Sequence, residues 1–215
     1  MADVQEAALY PASRSHARTS DLKARLVAAA EFFKSPTMVG SSFPASHWLI
    51  NRMLHGIDWS RVTTMLEYGP GTGAFTAAIL TRLPSHARLI AIDTSASFTD
   101  HLISAIPDQR LHVVTGSAAD VQHIMASHGL SKADCIISGL PFSTLEPDAA
   151  TQIIDRSAQL LCPHGLFMAY QMRTAVRPLL EDRYGSVRAA YEWRNIPPCH
   201  LFWASEPNPV SYTHL

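Results

Sequence analysis

Apolar and polar positions along this chain follow two periods in turn. In TSDLKARLVAAAEFFK, cap-competent Thr19 and Ser20 precede apolar residues at Leu22, Leu26, Ala29 and Phe33, a spacing that gathers them on one helical face. SPTMVGSSFPASHWLINRML follows, interrupted by Pro, Gly and Ser, and leads into a second short helix near His47 to Leu54. From Val62 onward the apolar runs TTMLEYG, RLIAID, RLHVVTG, ADCIISG and GLFMAYQ are separated by amphipathic stretches. Short continuous apolar runs suit strands covered on both faces, and their alternation with helical patterns predicts a parallel sheet wrapped in helices. After a helix expected over residues 174–184, SVRAAYEWRN and CHLFWAS predict a closing strand pair. The expected organisation is a flexible arm at 1–18, a helical segment at 19–56, an α/β domain at 57–205 and a frayed tail at 206–215.

The first strand runs into MLEYGPGTGAF, which holds three of the chain's ten glycines, Gly69, Gly71 and Gly73, within five residues. At a strand-to-helix turn such glycines let the backbone bend tightly and approach a ligand where a Cβ would collide. Asp93 ends the next strand, placed to accept hydrogen bonds from both hydroxyls of a ribose. The spacing is GxGxG, whereas the dinucleotide fingerprint is GxGxxG, and the acidic Glu67 stands two residues before Gly69. In these features the loop resembles the first motif of class I S-adenosylmethionine (SAM) methyltransferases. That resemblance implies SAM as cofactor, a Rossmann-like seven-stranded sheet with helices on both faces, and a zwitterionic amino acid rather than a phosphate beside Glu67. Thr94 would adjoin the ribose. TGSAAD, after the third strand, stands where such enzymes hold the adenine, with the Ser117 hydroxyl and the Ala118 backbone N–H as contacts, or with Ser117 simply capping a turn.

Composition narrows the partners. The 215 residues, 47% hydrophobic and 16% charged, suffice for one well-buried domain. A net charge of −1 offers no global field for nucleic acid. Three cysteines without CxxC spacing indicate neither a disulfide framework nor a thiolate metal site, and no metal is expected. With no secretory pattern at the start and no run near the ~18 apolar residues of a spanning helix, cytoplasmic residence is expected, any membrane being met from the side.

SGLPF, at the end of the fourth strand, is similar to the N-L-P-Y motif of adenine-modifying methyltransferases, but Ser138 replaces the amide. A hydroxyl lacks the oriented carbonyl and rigid plane that select a nucleobase amine. A ribosomal RNA adenine dimethyltransferase is also expected to carry a basic helical domain after the sheet, and residues 1–215 show no such pattern. Together with SP..VGS..PAS before the loop and WRN.PP after the sheet, the chain from about Leu22 to Trp203 resembles the bacterial phospholipid N-methyltransferases. That family acts on phosphatidylethanolamine, and ornithine-type amino lipids are credible acceptors too; small-molecule methylation and non-catalytic SAM binding remain the alternatives.

The resemblance places Ser138, Leu140 and Tyr170 beside the reacting groups, Ser138 also touching cofactor. Trp48, Phe142, Tyr170 and Tyr191 are aromatic faces for a methylated ammonium, or core residues. His47 is a base, or a surface or capping residue. Arg173 and Arg194 would grip a lipid phosphate, or lie solvated. The amphipathic segment 22–34, with five basic residues between Tyr10 and Lys34 (Arg14, Arg18, Lys23, Arg25 and Lys34), is expected to contact an anionic membrane from its cytoplasmic side and to cover SAM as a lid, or else to pack on the sheet domain.

Overall fold

A computed structural model describes residues 45–208 of the chain. The arm, the expected helix at 22–34, the SP..VGS motif and the tail from residue 209 lie outside the described residues. Seven strands form one sheet in the order β3-β2-β1-β4-β5-β7-β6, with β1 at Thr64–Tyr68, β2 at Arg88–Asp93, β3 at Leu111–Thr115, β4 at Ala133–Ser138, β5 at Leu161–Gln171, β6 at Tyr184–Glu192 and β7 at Cys199–Pro207. The first five are parallel; β7 runs antiparallel to both β5 and β6. This is the expected class I methyltransferase sheet, including its closing antiparallel pair.

Every residue of β1 is buried, which is why the run reads apolar without alternation. Its side chains nevertheless diverge. Leu66 and Tyr68 join Ile90, Ile136 and Phe167 in a core beneath α4 (Val121–Ser127), α5 (Pro147–Leu160) and α6 (Val176–Arg183). Met65 joins Leu89, Ile137 and Met168 on the opposite face, under α1 (His47–Leu54) and α2 (Ala74–Leu80). The remaining helix, α3 (Ala96–Ala105), buries Leu102 beside the glycine loop.

Two boundaries differ from the sequence expectation. Helix α1 is part of the sheet domain rather than of a separate segment ending at 56: Leu49, Ile50, Met53 and Leu54 are buried, and the Trp203 indole N–H donates to the Met53 carbonyl at 3.1 Å. Its apolar residues fall on one face, so that face needs a partner and finds the sheet. At the other end, β7 continues through Glu206 and Pro207, where Pro207 pairs with Tyr184 of the edge strand β6. A proline is tolerated there because it ends a strand.

Candidate active site

The chain runs outward from β1 to β3 and then returns to β4 on the other side of β1. Between β1 and β4 the order reverses, and the carboxyl ends of the strands there open a crevice. The Gly69 N–H donates to the Ile92 carbonyl at 2.9 Å and the Gly139 N–H to the Tyr68 carbonyl at 2.9 Å. Both loops thus extend the ladder by one residue before diverging. Gly69, Gly71 and Gly73 have φ of +66°, +53° and +82°, the left-handed region that a Cβ disfavours. Space is tight as well. A Cβ on Gly73 would lie 2.6 Å from Leu102 Cδ2, and one on Gly139 would meet the Tyr170 hydroxyl and stand 3.0 Å from the Gly69 carbonyl oxygen.

Glu67 is 3% exposed and points to the α2 face, where the Thr76 hydroxyl donates to its Oε2 at 2.7 Å. Burial pushes its carboxyl up to about 7, against the lowering effect of hydrogen bonds from the Thr76 hydroxyl and backbone N–H and with a small upward contribution from Asp93. Asp93 spans the rim. Its Oδ1 accepts the Ser95 N–H at 2.9 Å and its Oδ2 the Gly71 N–H at a long 3.4 Å, which leaves Oδ2 able to accept further hydrogen bonds. Thr94 is exposed beside it. These residues fit SAM: a bare-backbone cradle, a buried carboxyl that a cationic amino group would ionise, and a carboxylate for ribose hydroxyls. On the adenine side, Ser117 Oγ accepts the Ala119 N–H at 3.1 Å as the cap of a short turn, and the Ala118 methyl lies in the core.

On the acceptor side, Ser138 is fully buried and its Oγ accepts the Leu140 N–H at 3.3 Å, shaping the loop after β4. A pocket opens there between Leu49, Leu140, Tyr170, Met172, Asn195 and Cys199. The Tyr170 ring stacks on Phe75 at 4.8 Å, and burial, reinforced by the Glu67 and Cys199 charges, raises its phenol above the usual range. Tyr170 is therefore a neutral hydroxyl and an aromatic wall.

Several expected substrate contacts stand elsewhere. Phe142 is 4% exposed within the core below α5 and α6, because an apolar ring on a turn next to the sheet is best satisfied inside. His47 and Trp48 lie on the exposed side of α1, ring to ring at 4.4 Å, while Leu49 from the same helix lines the pocket. Arg194 is already held: its Nε and Nη2 donate to the two carboxylate oxygens of Glu192 at 2.8 and 3.0 Å, and its guanidinium covers Trp48 at 4.4 Å. These bonds, led by the Arg194 side chain, hold the Glu192 carboxyl down to about 2. Tyr191 sits on the edge strand against His200. Arg173 is exposed on the loop after β5.

The sequence reading passed over three residues that build the site. Gln171, 5% exposed, donates from Nε2 to the Leu140 carbonyl at 2.7 Å and to the Tyr170 carbonyl at 2.9 Å, and accepts the Phe142 N–H at 3.3 Å. It clamps the SGLPF loop to β5. Asn195, 3% exposed, donates to the Pro197 carbonyl at 2.7 Å and accepts the Ser46 N–H at 2.9 Å, tying the turn after β6 to the start of α1. Gly139 lets β4 pass under Tyr170. A glutamine closing an apolar run was the available signal for the first; Gly139 and Asn195 stand inside the SGLPF and WRN.PP motifs, which marked their positions but not what they touch.

Residues 65–165 match a family described as a methyltransferase domain. An ornithine lipid N-methyltransferase of Singulisphaera acidiphila is 27% identical over 175 residues, covering 80% of this chain and 91% of its own length. Among solved structures, the N-methyltransferase NodS from Bradyrhizobium japonicum aligns with TM-score 0.55 and 16% identity over 68% of this chain and 87% of its own. An O-methyltransferase family protein from Burkholderia thailandensis aligns with TM-score 0.58 and 13% identity over 89% and 64%. At those identities the two structures speak for the fold alone.

Proposed function

We infer that this chain, a class I SAM-dependent methyltransferase, transfers a methyl group to the amine of a membrane-lipid headgroup, of the phosphatidylethanolamine or ornithine-lipid kind. The observation that carries the lipid acceptor is the similarity, over four fifths of the chain, to an enzyme named for methylating ornithine lipid. The pocket beside Tyr170 agrees with it.

SAM supplies a methyl group activated on a sulfonium, so the chain need provide no nucleophile. Gly69, Gly71 and Gly73 would cradle it, Asp93 would hold its ribose, and Glu67 would receive its ammonium. The acceptor must present a neutral nitrogen in line, and a primary ammonium has a pKa of about 10. Leu49, Leu140 and Met172 desolvate that ammonium, which favours its neutral form. The proton that the ammonium gives up passes to water. Tyr170, kept protonated, accepts a hydrogen bond from the amine N–H through its hydroxyl oxygen and offers its ring face to the methylated cation.

Incubation with methyl-labelled SAM and a total lipid extract, followed by separation of products, tests the assignment. Label is expected in amino lipids. Label absent from lipid but present in RNA or in small amines from the same cells would overturn it.

A further inference from the structure

Six large apolar side chains are exposed among the described residues, and five of them, Trp48, Met172, Tyr191, Trp193 and Ile196, surround one corner of the molecule. Trp193 and Ile196 are 71% and 81% exposed, on the turn that joins β6 to β7. The residues between and beyond them turn inward: Asn195 and Pro197 line the acceptor pocket, as does Met172. Asn195 pins the turn through its bonds to Pro197 and Ser46, so the two apolar side chains are held outward by a braced backbone. Beside them lie Arg52, Arg188 and Arg194. Arg194 covers Trp48 at 4.4 Å and approaches Trp193 at 5.9 Å, and Arg188 covers Trp203 at 4.4 Å. Buried Glu192 pairs with Arg52 at 3.1 Å and with Arg194 at 2.8 Å, so three arginines against one carboxylate leave the corner positive in a chain whose net charge is −1.

We propose that this corner docks on an anionic lipid bilayer, with Trp193 and Ile196 entering the interfacial layer and the arginines facing lipid phosphates. The proposal rests on the lipid-acceptor reading and deepens it. Tryptophan and isoleucine ringed by arginine are the side chains that an interface rewards, because apolar bodies leave water while guanidinium groups stay at headgroup level. The charge complements an anionic surface. Continuity with the pocket supplies the reason for the placement: a two-tailed lipid hardly leaves the bilayer, so the pocket that exposed Met172 and half-buried Pro197 line must reach the headgroup. A braced turn also loses little conformational freedom on insertion. Every residue invoked here belongs to the sheet domain and none to residues 1–44.

Flotation of the full chain with phosphatidylcholine vesicles, with and without phosphatidylglycerol, tests docking without SAM or an amino lipid. Wild type is expected to float with the anionic vesicles, less at 1 M than at 0.1 M salt. The Trp193→Ser/Ile196→Ser variant is expected to partition at least about tenfold less, since both side chains are already solvent-exposed and the fold does not depend on them. Brominated acyl chains should quench wild-type tryptophan emission, and Trp193→Phe should remove most of that quenching. Equal flotation of wild type and the double variant, or quenching unchanged in Trp193→Phe, overturns the proposal and leaves the corner to residues 1–44 or to a protein partner. The acceptor reading is separated by detergent-dispersed amino lipid, on which the double variant should retain wild-type turnover. Wild type that floats but methylates no dispersed lipid refutes the acceptor and leaves docking standing.

Discussion

Replacing Glu67 by Gln separates the role of a buried carboxyl as a cofactor contact from its cost to the fold. Its pKa is raised from 4.5 to about 7, so at about 1.4 kcal/mol per unit burial disfavours the ionised form by about 3 kcal/mol. The sign follows from proton binding. Between pH 4.5 and 7 the unfolded chain loses this proton while the folded chain keeps it, so the contribution of Glu67 is most favourable below pH 4.5, declines across that window and levels off above 7. A glutamine amide has no such proton. Glu67→Gln should therefore gain about 3 kcal/mol relative to wild type as pH rises through that window, read by denaturant unfolding at each pH. Cofactor affinity should move the other way. An ammonium received beside Glu67 requires the carboxylate, and the ionised fraction rises about fifteenfold from about pH 5.5 to about 7 for a group with this pKa, while an α-amino group of pKa about 7.8 stays charged throughout. Calorimetry should show SAM binding tightening by about that factor in wild type, with proton release near about pH 6, and a flat, weaker profile in Glu67→Gln. A wild-type profile that is flat, or that the Glu67→Gln variant reproduces, would refute the placement of the amino group at Glu67.

Gly139→Ala should destabilise by about 1–3 kcal/mol and lower the melting temperature by a few degrees, because its methyl meets the Tyr170 hydroxyl and the Gly69 carbonyl. Tyr170→Phe in the same chain should restore part of that loss, which differential scanning calorimetry can measure; no restoration would mean the Gly69 contact dominates. Asp93→Ala should weaken SAM by about 2–3 kcal/mol through loss of a charged acceptor, and a 2′,3′-dideoxy cofactor analogue should be nearly indifferent to the change. Equal penalties for both ligands would make Asp93 a structural residue only, holding Ser95 and Gly71.

Most of the sheet was legible in the sequence because its determinants are local. A strand covered on both faces is apolar at most positions, as in the buried centre of RLIAID, and the tight turn after β1 needs positive φ, which Gly69, Gly71 and Gly73 supply. The proximity of the candidate cofactor residues is legible for the same reason: Glu67, the glycines and Asp93 lie on two consecutive strand-turn units, and parallel pairing of neighbours brings their ends together.

The acceptor side depends on separations that no local pattern encodes. Whether an aromatic or a cation faces a pocket, the core or another side chain depends on what lies across from it in space. Phe142 and Leu140 are neighbours in one short loop, yet the ring is buried under α5 and α6 while the leucine side chain borders the cofactor loop. Arg194 reads as a free phosphate grip until Glu192 folds onto it, and His47 and Trp48 read as pocket residues until α1 turns Leu49 inward instead. Ser46 meets Asn195 across 149 residues, and Gln171 reaches back to the loop after β4 across 31. The sequence by itself determined the alternation of strands and helices, the bare loop and the carboxylates beside it, since each follows from burial or backbone freedom within a few residues. Only the tertiary structure decided which polar groups are already paired, which aromatics are exposed and what walls the pocket, because pairing and burial are properties of facing surfaces.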